Sequence, residues 1–392
     1  FVMTLDDQQM ITAVKKLSRT LALTPAAQRS DALRAMAGRL LGGIEEVLCA
    51  NRGDLIAAAG SLDARRIGIL TLDENCIKDM ADMLHRVAAL DDPVGRILEA
   101  VDCPNGLHRE KRLVPLGVVA MVYEARPSVV VDGAALCLRT GNALILRCSR
   151  HSVRTDTTIA MLLRKGLSDA GLPEDALIMM TRADHDLTHE LSRQDRLIDL
   201  LIVRSGYAAL DDLRRSATVP VLGAGPGNCH IYIDASARPE MAEAIVYNSK
   251  VPRPLACNAA ETLLIARSWA HTYLPQLAKM LTGAGIELRG CQDACALCPD
   301  MKPAIQSDWE REFFAPILAV RLVSGITEAI EHINYYRTPH TESIITEDAD
   351  NALRFMAEVE ANVVCHNTST RLTDGSVFGL GGEMGISTQK YP

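Results

Sequence analysis

Apolar residues recur at helical spacing through roughly the first ninety residues of the chain. Thr24-Pro25 supplies an N-cap followed by proline at the first helical position, which favours helix initiation. The apolar positions that follow repeat every three or four residues: Leu33, Met36, Leu40, Leu41 and Ile44. A second such stretch covers residues 74–89. The pattern predicts that the chain begins with helices.

Beyond residue 113 the pattern changes to short, continuous apolar segments that alternate with amphipathic ones. This alternation is typical of a parallel sheet that is covered by helices on both faces. It restarts after residue 230, so we predict a doubly wound α/β protein with two α/β domains and a boundary near Asp234. The predicted strands lie at 118–123, 143–147, 176–180, 200–203 and 219–222, then at 231–233, 262–266, 317–322 and 343–346.

Turn signals separate the helical region from the α/β region. Asp92-Pro93 and Cys103-Pro104-Asn105-Gly106 are turn-forming sequences, and Asn-Gly between two short segments is typical of a hairpin. We therefore predict a hairpin or extended arm over residues 95–116.

Composition narrows the class of protein. The 392 residues carry 41 Lys+Arg against 49 Asp+Glu, a formal net charge of −8, and no basic block that could neutralise nucleic-acid phosphates. No apolar run is long enough to span a bilayer, and the first residues lack the pattern of an export signal. The eleven cysteines are scattered and odd in number, which favours reduced thiols. We expect a cytoplasmic protein with no nucleic-acid or membrane partner.

Three motifs could hold a ligand, but each has a simpler interpretation. The glycines of residues 223–228 could cradle a phosphate, or could form a tight connection between domains. His185 and His189 share a helix face but lack the glutamate and third ligand of a zinc site. Cys291, Cys295 and Cys298 have a spacing that could hold an iron–sulfur cluster, although a surface loop is favoured. We predict no metal site.

Cys257 gives the strongest chemical signal. It follows a predicted helix and two prolines, and it precedes an apolar strand, so its loop is held at both ends. Lys250 and Arg253 are close in sequence, and positive charge lowers a thiol pKa towards the reactive thiolate. The residues alone leave two interpretations open, a catalytic nucleophile and a buried structural cysteine.

Several segments together resemble the γ-glutamyl phosphate reductases (glutamate-5-semialdehyde dehydrogenases) of the aldehyde dehydrogenase superfamily. The most specific are YEARP at 123–127 and FGLGGEMGISTQK at 378–390. The others follow in the family's order along nearly the whole chain: 115–119, 136–147, 227–234, 253–259 and 369–375.

The resemblance implies an aldehyde dehydrogenase-like fold. Residues 1–94 and 117–234 would form a Rossmann-type NADPH-binding domain, 235–372 an α/β catalytic domain, and 373–392 a C-terminal return segment. Residues 95–116 would be a small β oligomerisation arm, so the resemblance also implies a homo-oligomer. The family extends beyond the position of Pro392, so we expect a further tail.

The resemblance also implies NADPH-dependent reduction of L-glutamate 5-phosphate to L-glutamate 5-semialdehyde and phosphate, the second step of proline biosynthesis. Cys257 would displace phosphate to give a thioester. The backbone N–H of Cys257 and the side chain of Asn258 are the candidate oxyanion donors. No Glu lies at 222–227, where hydrolytic relatives keep the base that activates water, so phosphate is the expected exchange partner.

Four further residues receive roles from the resemblance. Arg147 would bind the adenosine 2′-phosphate, although Cys148-Ser149 follow it where the family has Gly-Gly. Glu312 would bind the nicotinamide ribose, or would be a surface residue at a helix end. Arg126 and Arg371 could clamp the substrate's anionic groups, or form structural salt bridges.

Two other functions and one partner remain open at this stage. The protein could be a general aldehyde-oxidising dehydrogenase, or a non-catalytic scaffold relative that kept the fold. A glutamate 5-kinase partner would protect the labile acyl phosphate by passing it directly to the reductase.

Overall fold

The structure, a computed structural model, describes residues 3–182, 185–204, 207–223 and 225–385. The chain divides into two compact units. Among the described residues, unit 1 contains those within 3–223 and 379–385, and unit 2 contains 225–378. Helices and strands are numbered below in chain order.

Unit 1 begins with the predicted helical region. Asp73 caps the last of these helices, because its carboxylate accepts a hydrogen bond from the backbone N–H of Cys76 at 2.7 Å. The described helices of this region are α1 (Leu5–Leu23), α2 (Ala26–Gly42), α3 (Ile44–Ala58), α4 (Ala64–Leu70) and α5 (Glu74–Ala89).

The predicted hairpin follows. Strands β1 (Ile97–Asp102) and β2 (His108–Arg112) pair antiparallel, and all their residues are exposed. The turn closes with a hydrogen bond from the Gly106 N–H to the Cys103 carbonyl at 2.9 Å, and Gly106 has a positive φ of 84° that suits glycine.

A five-stranded parallel sheet forms the rest of unit 1, with the order β5-β4-β3-β6-β7. Because β3 leads to β4 and β5 on one side and β6 returns on the other, the strand order reverses between β3 and β6. The elements are β3 (Val118–Tyr123), α6 (Ser128–Arg139), β4 (Ala143–Arg147), α7 (Val153–Asp169), β5 (Leu177–Met180), α8 (His185–Leu191), β6 (Leu200–Arg204), α9 (Tyr207–Ser216) and β7 (Val221–Gly223).

Unit 2 is built on a seven-stranded parallel sheet with the order β11-β10-β12-β9-β8-β13-β14. Its elements are β8 (Cys229–Ile233), α10 (Pro239–Lys250), β9 (Ala260–Ala266), α11 (Arg267–Gly283), β10 (Glu287–Gly290), α12 (Gln292–Leu297), β11 (Lys302–Pro303), β12 (Ile317–Val323), α13 (Ile326–Tyr336), β13 (Thr341–Ile345), α14 (Ala349–Glu358) and β14 (Val363–His366). Among the helices that the structure describes, none has the length and apolar character to cross a bilayer.

The division between the units differs from the predicted boundary near Asp234. It falls after Gly223, because β8 pairs with β9 and β13 and so belongs to the second sheet. The return segment predicted for 373–392 is also divided. Gly379–Gly385 belongs to unit 1 and 373–378 to unit 2, while 386–392 lie outside the described residues.

Helices α2 and α7 pack closely in unit 1 because Gly166 has no side chain. A Cβ added at Gly166 would lie 2.6 Å from the backbone N and Cα of Met36. Gly38 lies on α2 near Met36, whereas Gly166 lies on α7. A Cβ added at Gly38 would have open space, with nothing within 4 Å. The two glycines therefore form a matched pair for substitution.

We expect Gly166→Ala to lower the free energy of unfolding by about 1–3 kcal/mol, because the methyl group forces the helix backbones apart. Gly38→Ala should raise it by about 0.5–1 kcal/mol, since alanine loses less backbone entropy on folding. Denaturant unfolding of both variants measures the difference. Equal stability of the two variants would contradict this account of the helix contact.

Candidate active site

Four loops meet at one edge of the seven-stranded sheet. They precede β8, β9, β12 and β13, and because these strands are parallel their amino ends share that edge. The loop before β9 carries Cys257, and the loop before β12 carries Glu312. The fold thus brings three of the predicted site residues, Cys257, Asn258 and Glu312, to the same edge of unit 2.

The backbone at Gly227 lies directly against the Cys257 loop. A Cβ added at Gly227 would lie only 1.7 Å from the carbonyl oxygen of Cys257. Any other residue at 227 would overlap this backbone, so the close approach requires glycine. The glycine-rich segment at 223–228 leads from β7 to β8, which favours the tight-connection interpretation over a phosphate loop followed by a helix.

Asn228 forms hydrogen bonds with the segments that precede β12 and β13. Its side-chain amide donates to the carbonyl oxygens of Trp309 at 2.8 Å and Tyr336 at 3.0 Å. Its backbone N–H donates to the hydroxyl of Thr338 at 2.7 Å. Asn228 is fully buried, so these bonds replace contacts with water and hold the loops before β12 and β13 together.

A second thiol, which the sequence analysis did not single out, lies behind Cys257. The Cys229 thiol donates to the Cys257 carbonyl at 3.5 Å, and its sulfur is 3.6 Å from Nδ1 of His340. Cys229 is fully buried, and burial raises its pKa well above the ordinary value, so it remains a thiol. Cys257 is partly exposed and can therefore be reached by a substrate.

The Asn258 side chain forms hydrogen bonds with three residues of unit 2. Its Nδ2 donates to Thr373 Oγ1 at 3.1 Å and to Asp374 Oδ1 at 2.9 Å, and its Oδ1 accepts from Arg371. These bonds use both amide hydrogens. The oxyanion-donor role of Asn258 stays a prediction, and it requires one of these bonds to break.

The sequence analysis left two roles open for Arg371, a substrate clamp and a structural salt bridge. In the structure Arg371 forms a salt bridge with Asp374. Its guanidinium donates to Asp374 at 3.2 and 3.4 Å and also bonds Asn258. Only 13% of its side chain is exposed. These contacts favour support of the nucleophile loop.

Lys250 pairs with a buried carboxylate. Its Nζ lies 2.6 Å from Oε2 of Glu261, and both side chains are fully buried. Burial raises the pKa of Glu261 to about 7 against the opposing effect of Lys250, and burial likewise lowers the pKa of Lys250. In the structure Lys250 therefore pairs with Glu261. The sequence analysis had instead expected its positive charge to lower the pKa of the Cys257 thiol.

Glu312 does not lie at a helix end. It belongs to an irregular loop before β12, and its two carboxylate oxygens are buried. Burial lowers the pKa of Lys250 and raises the pKa of Cys229, and the negative charge of Glu312 raises both to a smaller extent. Two residues later Phe314 has a φ of 49°, an uncommon conformation for a residue with a side chain. The helix-end alternative for Glu312 is therefore wrong.

Arg147 and Arg126 belong to unit 1. Arg147 is the last residue of β4 and is partly exposed at the carboxyl edge of the five-stranded sheet. Arg126 follows β3 at the same edge, just before α6. In open parallel sheets this is the edge at which ligands bind.

The remaining motifs hold no metal-ligand set within the part of the chain that the structure describes. His189 lies 3.3 Å from Asp212 on the protein surface, and the side chain of His185 lies outside the described residues. Among the three clustered cysteines, Cys298 is buried, and the Cys295 thiol donates to the Gly290 carbonyl at 3.3 Å.

Comparisons with known proteins identify the family. The model of the aldehyde dehydrogenase family matches residues 5–286 and 297–385. A gamma-glutamyl phosphate reductase from Caldanaerobacter subterraneus is 44% identical over 96% of this chain and 91% of its own length. One from Bacillus subtilis is 42% identical with the same coverage.

Solved structures agree with these relatives. The crystal structure of gamma-glutamyl phosphate reductase from Thermotoga maritima superposes with a TM-score of 0.92 at 35% identity, over 98% of this chain and 93% of that one. A propionaldehyde dehydrogenase from Rhodopseudomonas palustris, at 14% identity and a TM-score of 0.69 over 97% of this chain and 91% of that one, shares the fold. The chain therefore belongs to the aldehyde dehydrogenase family and, within it, to the gamma-glutamyl phosphate reductases.

Proposed function

We propose that the protein reduces L-glutamate 5-phosphate to L-glutamate 5-semialdehyde and phosphate with NADPH, as the second step of proline biosynthesis. The observation that carries this proposal is the reachable Cys257 thiol on a loop packed against Gly227. It stands in a chain that is 44% identical to a gamma-glutamyl phosphate reductase over nearly its whole length.

Cys257 acts as the nucleophile in this reaction. Its thiolate attacks C5 of the acyl phosphate, a C–S bond forms, and the C5–O bond to phosphate breaks. Hydride transfer to C5 of the resulting thioester is the chemistry that NADPH supplies when bound. The C–S bond of the hemithioacetal then breaks, which releases the aldehyde and restores the thiolate.

Phosphate, not water, exchanges with the thioester. Residues 222–227 contain no Glu, and hydrolysis of a thioester needs a base that activates water. A general aldehyde-oxidising activity is therefore the less favoured alternative.

The family uses a nicotinamide cofactor, and two residues have the right chemistry to hold it. Arg147 offers a guanidinium at the carboxyl edge of the five-stranded sheet, where it would bind a 2′-phosphate. Glu312 offers a carboxylate that would accept hydrogen bonds from the nicotinamide ribose. The preference for NADPH over NADH rests on Arg147.

Substrate anion binding is assigned to Arg126. Within the described residues its guanidinium makes no hydrogen bond or ion pair, so its donors are available to a carboxylate or phosphate. Arg371, by contrast, already holds Asp374 and Asn258.

The exposed hairpin formed by β1 and β2 is the surface through which we expect a homo-oligomer to form. Its apolar side chains Ile97, Leu98 and Leu107 are between 45% and 64% exposed, and a second copy of the chain would cover them. The cytoplasmic location and the glutamate 5-kinase partner stay predictions.

Replacing Cys257 tests the nucleophile. In the reverse reaction, with glutamate-5-semialdehyde, phosphate and NADP⁺, Cys257→Ala should lower NADPH production by at least about 1,000-fold, because no thioester forms. The exposed Cys49 supplies the control variant Cys49→Ala, which should keep full activity. Activity that survives in Cys257→Ala would overturn the assignment. Inactivity of the well-folded unmodified protein would favour the scaffold alternative.

Gly227→Ala tests the loop contact. The added methyl group must displace the Cys257 backbone, and we expect kcat to fall about 100-fold with the fold retained. Gly283 at the end of α11 has open space for a Cβ, so Gly283→Ala is the matched control. Unchanged kcat in Gly227→Ala would show that the close approach does not position the nucleophile.

Arg147→Gln tests cofactor recognition. The substitution should raise the KM for NADPH about 10- to 100-fold and leave the KM for NADH nearly unchanged, because only NADPH carries the 2′-phosphate. Arg150→Gln removes an exposed charge three residues away and serves as the control. An equal rise in both KM values would assign Arg147 a structural role.

A further inference from the structure

A group of four charged side chains lies where the strand order of the five-stranded sheet reverses. Arg126 follows β3, Arg204 ends β6, and Asp132 lies in the second turn of α6. Ligands of open parallel sheets bind outside the carboxyl ends of the strands at such a reversal. The fourth member, Glu383, comes from the C-terminal part of unit 1.

Two glycines locate the segment that carries Glu383. A Cβ at Gly382 would lie 3.1 Å from Met83 and 3.7 Å from Val87 on α5, and 3.9 Å from Leu136, which is one helical turn after Asp132 on α6. A Cβ at Gly385 would lie 3.2 Å from Nε of Arg204. Glu383 lies between these two glycines in the chain, so its segment leads from the packed faces of α5 and α6 to the end of β6.

Asp132 and Arg126 carry opposite charges that do not pair with each other. Within the described residues, neither side chain makes a hydrogen bond or an ion pair. Burial raises the pKa of Asp132 to about 6, the negative charge of Glu383 acts in the same direction, and Arg204 and Arg126 oppose the shift. An unpaired, partly buried carboxylate is costly in a folded protein, and such groups are common in binding sites.

The charge pattern selects among ligands. Two guanidiniums, Arg126 and Arg204, lie with two carboxylates, Asp132 and Glu383, so the group presents both signs of charge to a ligand. A zwitterion with an ammonium and a carboxylate on one carbon would complement Asp132 and Arg126 together. The α-amino acid end of the substrate is such a group.

We propose that Asp132 binds the α-ammonium group of the substrate, with Glu383 adding negative potential, while Arg126 binds the α-carboxylate. This assignment rests on the proposed function. It makes Asp132 the residue that distinguishes α-amino substrates from their deaminated analogues.

The experiment compares three aldehydes in the reverse assay with phosphate and NADP⁺. They are glutamate-5-semialdehyde, 5-oxopentanoate, which lacks the amino group, and 4-aminobutanal, which lacks the carboxylate. Asp132→Asn should lower kcat/KM about 10- to 100-fold for the two amino substrates and leave 5-oxopentanoate nearly unchanged. Arg126→Gln should lower kcat/KM for the two carboxylates and spare 4-aminobutanal.

The pH dependence gives a second readout. For the unmodified enzyme, the preference for glutamate-5-semialdehyde over 5-oxopentanoate should fall as pH drops through 6, because protonated Asp132 no longer attracts the ammonium. In Asp132→Asn the preference should not change over this range.

The control and the contrary outcomes are distinct. Asp82→Asn removes an exposed carboxylate on α5 and should change neither ratio. Equal losses for all three aldehydes in Asp132→Asn would show a structural role and overturn the assignment, as would an unchanged ratio in a variant with the normal melting temperature. Absence of phosphate-dependent activity in the unmodified enzyme would instead refute the proposed function.

Discussion

The close approach of Gly227 to the carbonyl oxygen of Cys257 fixes the arrangement of the catalytic edge of unit 2. With a Cβ-to-oxygen distance of 1.7 Å for any added side chain, the contact admits glycine alone. The neighbouring Asn228 and Cys229 extend the same support. Asn228 binds the loops before β12 and β13, and the Cys229 thiol donates to the Cys257 carbonyl. One short segment, residues 227–229 at the start of β8, therefore positions three loops.

A buried ion pair between Lys250 and Glu261 also stabilises this edge of the sheet. The Lys250–Glu261 pair is fully enclosed, and the backbone N–H groups of Phe313 and Phe314 lower the pKa of Glu261. Removing one partner of a buried pair leaves an uncompensated charge, which costs far more than the pair contributes. The pair therefore ties α10, from which the nucleophile loop departs, to β9 and to the loop that carries Glu312.

The sequence could predict features that depend on local pattern. The apolar runs give β3 and β4 their observed bounds, and the Asn-Gly turn predicts the hairpin. Prolines near Cys257 indicate a held loop, and the resemblance to the reductase family supplies its chemistry. Glu312 was found in the same way, and the structure adds that its carboxylate is buried.

Other features depend on contacts between distant parts of the chain. The bond of Arg371 to Asn258 joins residues 113 positions apart, so no local pattern predicts it. The salt bridge of Arg371 to Asp374 spans only three residues, but the sequence alone does not distinguish that pairing from a substrate clamp. The boundary near Asp234 was misplaced because the pairing of β8 with β9 and β13 cannot be read from β8 alone. Asp132 resembles any helix residue until the segment around Glu383 is folded against α6.

The most direct test of the central claim is to trap the acyl-enzyme. The protein is mixed with glutamate-5-semialdehyde and NADP⁺ without phosphate, quenched in acid so that the amine stays protonated, and analysed by peptide mass spectrometry. The account predicts a glutamyl thioester on Cys257, formed together with one NADPH per active site, that disappears when phosphate is added before the quench. A thioester on another cysteine, or continued turnover without phosphate and without an adduct, would contradict it.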